Sequence, residues 1–535
     1  MAIRKLDQSP AAPAASARPS LWLGLRLALI GCFVSLATAR FLVAPLDRFD
    51  EGVTLTKGAM AAAGRVPYRD FWNSYGALDL YILAAAFRLI AVNVTVARVL
   101  GAVVMLLITA TTYALMRELG LRDPIRFLMT GLITVAPLSL ATFNSPFLAV
   151  LLGLGALLTF MIGLGRRSLR WPAACGCLIG VTAFCRPEFA VALGAGLTIG
   201  YLVLAMHPGS RTSSPALVYV ACGLAAAAVL WSPMVLLAGF NPVWFDIVVH
   251  ALTLYARGRS IPIGQGHEGP AVVILSAAFA LIWFFGILRA FRQRGDAREL
   301  ARLTALVVGG GLAFAWVVTR ADGIHAMAAW PVTGVLLALL LGRRARRQPA
   351  APPLFEASAT LAGILLCCIA AGGLTVRDLA LPHAAAGIPR AGLAGERAWM
   401  PTPQLATLIQ QIDASVPPGQ PIWVGRQQND LVVFDDNTIY FLSGREPGTV
   451  FDEAFPGLTN TEATERTMAC QLARSGVTLV VLGPDGAPEP WNLSAVPGST
   501  YLDRWIAGRT ISRTAVAPYE LVRLRPGLEP ADRCP

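Results

Sequence analysis

Two adjacent carboxylates, Asp50 and Glu51, directly follow a long apolar stretch and precede Gly52. A carboxylate within hydrogen-bond reach of a hydroxyl can take its proton while that oxygen attacks the anomeric carbon of a sugar and the leaving group departs from the opposite face. A carboxylate at a helix start also caps that helix, and the pair by itself leaves both readings open. Further along, Arg320, Asp322 and His325 share one short turn between apolar blocks. Tyr255, Arg257 and Arg259 lie in the longest interval between such blocks, after Asp246 and His250, and Arg186 and Glu188 bracket another break. Arginines of this kind bind a phosphate bidentately and stabilise the charge that a phosphate leaving group gains. At a membrane surface they equally anchor lipid headgroups.

The elements that must position these residues are membrane helices. Of 535 residues, 55% are hydrophobic and only 14% charged, with a mean hydropathy of +0.59, whereas a soluble domain carries about 25% charged residues. Blocks such as Leu21 to Ala44, Gly101 to Met116 and Ala271 to Leu288 approach the roughly 20 residues that a spanning helix needs. The polar stretch Met1 to Ser20 precedes an apolar block too long for a signal peptide, so the first helix is expected to stay attached. The net charge of +12 resides in short arginine clusters between apolar blocks, not on one amphipathic face. Those clusters read as topology signals, and no nucleic-acid partner is expected.

Placing the clusters in the cytoplasm fixes the topology. They are Arg4, Lys5 and Arg18; Arg117, Arg122 and Arg126; Arg166, Arg167 and Arg170; the weaker His207 and Arg211; Arg289, Arg292, Arg294, Arg298 and Arg302; and Arg343, Arg344, Arg346 and Arg347. The spans between them then come in pairs, all the candidate residues above face outward, and Leu78 to Leu89 is left as an interfacial helix, with a short extra span as its alternative. A last span from about Ala357 to Leu374 gives about eleven helices in all. The polar C-terminal residues read as a small α/β or α+β domain. Its expected helix is Pro401 to Val416, and its expected strands are Pro421 to Val424, Val432 to Phe434, Val477 to Leu482 and Tyr519 to Leu524. Seven of the nine cysteines lie in apolar blocks; the other two, Cys470 and Cys534, fit a disulfide outside the cytoplasm, a pairing the sequence leaves open. No metal-binding motif is present.

The stretch FDEGVTLTKGAMAAAGRVPYRDFWNSYGALDLYILAAAFRL resembles the first extracytoplasmic loop of GT-C membrane glycosyltransferases, in particular the bacterial relatives of protein mannosyltransferases and of the aminoarabinose transferase that modifies lipid A. There an Asp-Glu pair opens the loop, a G-x-x-P-Y-x-D-F segment follows, and an interfacial helix completes it; Gly64, Pro67, Tyr68, Asp70 and Phe71 match the middle part. The segment RADGIHAMAAWP is similar to a late turn in many of these proteins, and DNTIYFLSGREPGTVFDEAFPG to the tails of other bacterial members.

The resemblance implies a cytoplasmic tail over 1–20, a GT-C-like transmembrane domain over 21–375 with its first outer loop at 45–95, and an extracytoplasmic domain over 376–535. It implies a polyprenyl-phosphate sugar donor, inversion at the anomeric carbon, and a site at the outer face of a bacterial inner membrane. Asp50 falls on the acidic catalytic position with Glu51 beside it. Arg257, Arg259, Arg320 and His325 are expected to hold the donor phosphate, with Asp322, Tyr255, Arg186, Glu188, Tyr68 and Asp70 as further substrate contacts. The acceptor would be a glycan, a lipid or a protein. On metals the resemblance is divided, since mannosyltransferase-like members need none and other GT-C enzymes use one. No β-trefoil pattern appears, and Lys57 does not reproduce the basic residue that follows the acidic one in the lipid A enzymes. A transporter of lipid-linked sugars is the alternative. It would place ionisable residues near the bilayer midplane and show repeated halves, and this sequence shows neither.

Overall fold

The computed structural model describes residues 31, 46–121, 123–138, 143–166, 168–207, 214–266, 268–293, 295–347, 403–484, 486–526 and 534. The expected first and last spans, Leu21 to Ala44 and Ala357 to Leu374, lie outside this set but for residue 31.

Helices α1 (Asp50–Ala62) and α2 (Leu78–Leu89) form the first loop. They are followed by α3 (Val94–Glu118), α4 (Asp123–Leu138), α5 (Ser145–Gly165), α6 (Arg170–Cys185), α7 (Pro187–Met206) and α8 (Ser214–Ala238). A helical run over 240–259, partly π-helical, then leads to α9 (Gly269–Arg292), α10 (Ala297–Thr319) and α11 (Gly323–Arg347). Six of these, α3, α5, α7, α8, α9 and α10, are long and apolar enough to cross a membrane. Shorter apolar helices at Ile125–Thr134, Arg170–Cys185 and Ala329–Leu341 fall where the charge pattern places the remaining paired spans. Small residues let the bundle close. A Cβ on Gly176 would lie 2.1 Å from the Tyr219 carbonyl oxygen, and one on Gly196 would lie 2.4 Å from that of Ala305. The α6–α8 and α7–α10 backbones therefore meet directly, as in other membrane helix pairs.

Helix α2 covers the residues read as an interfacial helix. Its 12 residues are too few for the roughly 20 of a span, and it packs on α1, where Leu83 fills the space above Gly58. Arg88 reaches back to the end of α1, donating from Nε to the Ala62 carbonyl at 2.6 Å and from Nη2 to that of Ala61 at 3.3 Å. It thus satisfies orphan carbonyls at the negative end of the helix dipole.

The C-terminal residues build a four-stranded sheet of order β1-β2-β4-β3, with β1 (Trp423–Arg426), β2 (Leu479–Gly483), β3 (Thr510–Val516) and β4 (Tyr519–Leu524). β1 runs parallel to β2 and the other pairs are antiparallel. Helices Pro403–Ser415, Thr438–Ser443, Glu462–Ser475 and Tyr501–Ala507 complete an α/β layer. Cys470 and Cys534 are joined in a disulfide. The expected strand Val432 to Phe434 does not form, because the Phe434 carbonyl is taken by the Arg426 guanidinium and not by a neighbouring strand. β3 was not expected. Its residues are mostly exposed, so it lacks the half-buried alternation by which strands are read, as suits an edge strand.

This region does not stand apart from the membrane part. Leu55, Phe87, Leu405, Ile439 and Phe441 belong to one contiguous apolar core with the residues of α3 and α5. Gly52 lies so close to the Thr438 amide that a Cβ there would sit 2.8 Å from it. Thr56 donates to the Asn437 carbonyl at 2.9 Å, and the Trp72 backbone N–H donates to the Val450 carbonyl at 2.7 Å. The first loop is the floor on which the C-terminal region rests.

Candidate active site

The start of α1 is built to hold Asp50 still. Asp47 Oδ1 accepts from the backbone amides of Phe49 at 2.9 Å and Asp50 at 2.7 Å, and the Asp47 amide donates to Glu51 Oε2 at 3.2 Å. This is the reciprocal logic of a capping box. Glu51 is anchored in turn: Arg98 of α3 clasps it bidentately, Nε to Oε1 at 2.7 Å and Nη2 to Oε2 at 2.8 Å, with both side chains buried. Glu51, expected beside Asp50, is held in this ion pair. The Asp50 carboxyl is left without a hydrogen bond among the described residues. Asp50 is exposed and opens on the cleft where α1, the helical run, the late turn and the C-terminal region come near one another. The protein packed near its carboxyl, reinforced by Asp47, raises its pKa to about 6, and Arg259, Glu453 and Asp322 all lie near enough to bear on it.

The second expected cluster splits into residues that face the cleft and residues that hold it together. Arg259 is buried. It donates from Nη2 to the Ala454 carbonyl at 3.1 Å and lies over the rings of Phe49 and Phe455, 5.2 and 5.3 Å from their centroids. No carboxylate among the described residues forms a salt bridge with it, and burial together with nearby Arg320 lowers its pKa. Glu453 and Glu489 lie near enough to favour its charge, but neither meets it in a salt bridge, and a buried guanidinium held this way is costly. Arg320 is already committed: it donates to Asp322 at 2.7 Å, to the Arg259 carbonyl at 2.7 Å and to Glu489 at 3.1 Å. It pins the helical run, the late turn and the C-terminal region together. Arg257 is exposed, away from this convergence. Despite the cost of its burial, Asp322 is held down to about 2 by its hydrogen bonds with His325.

Arg186 lies between aromatic rings, 3.7 Å from the Tyr75 centroid and 4.5 Å from that of Trp316, with Glu188 at 2.9 Å. The G-x-x-P-Y-x-D-F segment shapes the turn that presents Tyr75. Gly64 and Tyr68 have φ of 93° and 68°, Asp70 accepts from the Val66 amide at 2.8 Å, and the Tyr68 hydroxyl donates to the Tyr75 carbonyl at 2.6 Å. Tyr68 and Asp70, expected as substrate contacts, spend their polar atoms on this turn.

Three residues around the cleft were seen in the sequence but given no role there. Lys57 is fully buried, with Nζ 2.6 Å from Glu453 and 3.7 Å from Asp452. Burial opposes its charge, but the two acids raise its pKa. His250 is buried between the rings of Trp72 and Phe455, with centroids at 5.0 and 4.5 Å, and burial lowers its pKa to about 4. Asp246 accepts from the Asn73 amide at 3.3 Å, and burial raises its pKa to about 7. The acidic pair Asp452-Glu453 in the FDEAFPG segment was a visible signal, but its partner lies hundreds of residues away. No group of three or more His, Cys, Asp and Glu among the described residues is arranged to hold a metal ion.

A helical membrane bundle, a first loop opening on an Asp-Glu pair, and a C-terminal α/β region closing over that loop together make up a GT-C-like fold. Solved structures similar to this chain include those of ArnT, a lipid A aminoarabinose transferase. ArnT from Cupriavidus metallidurans bound to undecaprenyl phosphate matches with a TM-score of 0.58 and 15% identity, over 93% of this chain and 98% of that one. Its apo form matches with a TM-score of 0.59 and 16% identity, over 94% and 98%. No model of a known family matches the sequence, and neither does any curated protein.

Proposed function

We propose that the chain is an inverting glycosyltransferase that moves a sugar from a polyprenyl-phosphate carrier to a hydroxyl of a glycan, lipid or protein acceptor, on the extracytoplasmic side of a bacterial inner membrane. The observation that carries this reading is the nearness of two groups, Asp50, a carboxylate with no hydrogen bond among the described residues, and Arg259, a buried guanidinium with no carboxylate salt bridge among them, which bears on Asp50. The ArnT-like fold and the lipid phosphate bound by ArnT support it. Asp50 takes the acceptor proton as the acceptor oxygen attacks, and Arg259 takes up the negative charge that grows on the departing phosphate. Glu51, Asp47 and Arg98 keep Asp50 at the cleft, and Arg320 keeps Arg259 in place.

The binding half is tested with undecaprenyl phosphate and purified protein in nanodiscs. Arg259→Gln loses a hydrogen bond to a charged ligand, worth about 1.5–3 kcal/mol, so its affinity is expected to fall about ten- to a hundredfold. Equal affinity in the wild type and the variant would remove Arg259 from the phosphate site. The base half has a pH signature. The working form of Asp50 is the ionised one, and its pKa is raised from 3.8 to about 6. Transfer at limiting substrate therefore rises with pH through about 6. A rate already flat from pH 5 upward would contradict the assignment.

A further inference from the structure

Four side chains from three separate parts of the chain are joined end to end. Asp322 Oδ1 lies 2.7 Å from His325 Nδ1 and also accepts from the His325 amide at 2.9 Å. His325 Nε2 lies 3.2 Å from the Tyr255 hydroxyl, which lies 3.3 Å from the Tyr75 hydroxyl. A carboxylate at Nδ1 keeps a hydrogen on that nitrogen, so Nε2 is the one variable position of the ring. With Nε2 bare, the hydroxyls donate inward, Tyr75 to Tyr255 to His325. With Nε2 protonated, every hydrogen turns outward and Tyr75 is left donating to whatever lies beyond it. The two states move a proton from one end of the chain to the other without displacing a heavy atom.

The outer end lies where an anion would gather. Tyr75 is half-buried, and its ring stacks on the Arg186 guanidinium. Arg186 and Arg320 both bear on Tyr255, and Tyr255 on Arg259. The groups facing His325 are Asp322 beside it, Tyr255 from the helical run, Glu188 at the start of α7 and, from α10, the Trp316 ring at 5.8 Å. Beyond Tyr255 stand Arg186 and Arg320. The base chemistry of Asp50 uses none of this chain.

We propose that Tyr75, Tyr255, His325 and Asp322 form a proton relay for the leaving phosphate, with Tyr75 as the group that touches it; this rests on the glycosyl-transfer reading above. As the acceptor oxygen bonds to the anomeric carbon, its proton passes to Asp50. The bond from that carbon to the phosphate oxygen breaks, and its electron pair stays on that oxygen. The oxygen takes the Tyr75 hydrogen, Tyr75 takes that of Tyr255, and Tyr255 takes that of His325 Nε2. The products are the glycosylated acceptor, a lipid phosphate monoanion, protonated Asp50 and neutral His325, with the same total charge as the reactants. Solvent exchange then resets Asp50 and His325.

The test follows the phosphorus resonance of undecaprenyl phosphate bound to the nanodisc protein as pH is varied, in wild type, Tyr75→Phe, His325→Gln and the double variant. Phenylalanine keeps the stack on Arg186 and removes only the hydroxyl. Each single variant is expected to shift the titration of the bound phosphate by roughly one pH unit, the scale that marks coupled sites, in the same direction. The double variant should shift it no further, because both break one chain. A titration unmoved by Tyr75→Phe, or shifts that add in the double variant, would overturn the relay while leaving lipid-phosphate binding intact. Failure of the wild type to bind the lipid would overturn both the relay and the reading beneath it.

Discussion

Asp50→Asn is expected to lower sugar transfer by about 10²- to 10⁴-fold, the usual contribution of a positioned general base, without loss of folded protein. The second half of that expectation follows from the geometry. The Asp50 side chain makes no hydrogen bond among the described residues, and the α1 N-terminus is held by Asp47 and by the Glu51–Arg98 pair instead. Its pKa is raised from 3.8 to about 6. A carboxyl whose folded pKa lies above its unfolded value opposes folding once ionised, so the fold loses stability as pH rises through that interval. The asparagine variant lacks that charge and should melt no lower than wild type near neutral pH. An inactive variant that is also unfolded would not fit this account, and neither would a folded variant that retains substantial transfer.

Lys57→Met should have the largest effect on stability. Lys57 is the cation between Asp452 and Glu453, buried where α1 meets the C-terminal region. Removing one partner of a buried ion pair strands the other charge, at a cost of about 3–5 kcal/mol. Here two acids are stranded at the joint that places Phe455 and Arg259 around the cleft. The melting temperature in detergent should fall clearly, and Lys57→Met combined with Glu453→Gln should recover part of the loss, because one stranded charge is gone. A melting temperature unchanged by Lys57→Met would show that the pair holds nothing together.

What the sequence showed and what it hid divide along contact range. Local features were legible: the apolar periods of α3, α5 and α7, the short helix 78–89, and the carboxylates and arginines that the charge pattern puts on one side. The roles within that set were not. Glu51 and Asp50 are neighbours in sequence and look alike, yet Arg98, emerging from an apolar helix, claims one and leaves the other in the cleft. Arg257 and Arg259 are two residues apart on a helix, so they point in different directions. Lys57 and Glu453 are separated by 396 positions, and nothing in either neighbourhood announces the pairing. Tyr68 and Asp70 belong to a motif whose physical purpose is to set a turn, and Tyr75, seven residues past Tyr68, takes the position in the cleft that the motif prepares.

The central claim is that Asp50 draws a proton from an acceptor while a polyprenyl phosphate departs. It is tested most directly by incubating the purified protein in nanodiscs with a panel of radiolabelled polyprenyl-phosphate sugars and membrane glycan and lipid extracts. Label passing to an acceptor with wild type, and not with folded Asp50→Asn, is the predicted result. No transfer from any donor, by a wild-type protein that nonetheless binds undecaprenyl phosphate, would contradict it and leave a protein that carries lipid-linked sugars without cleaving them.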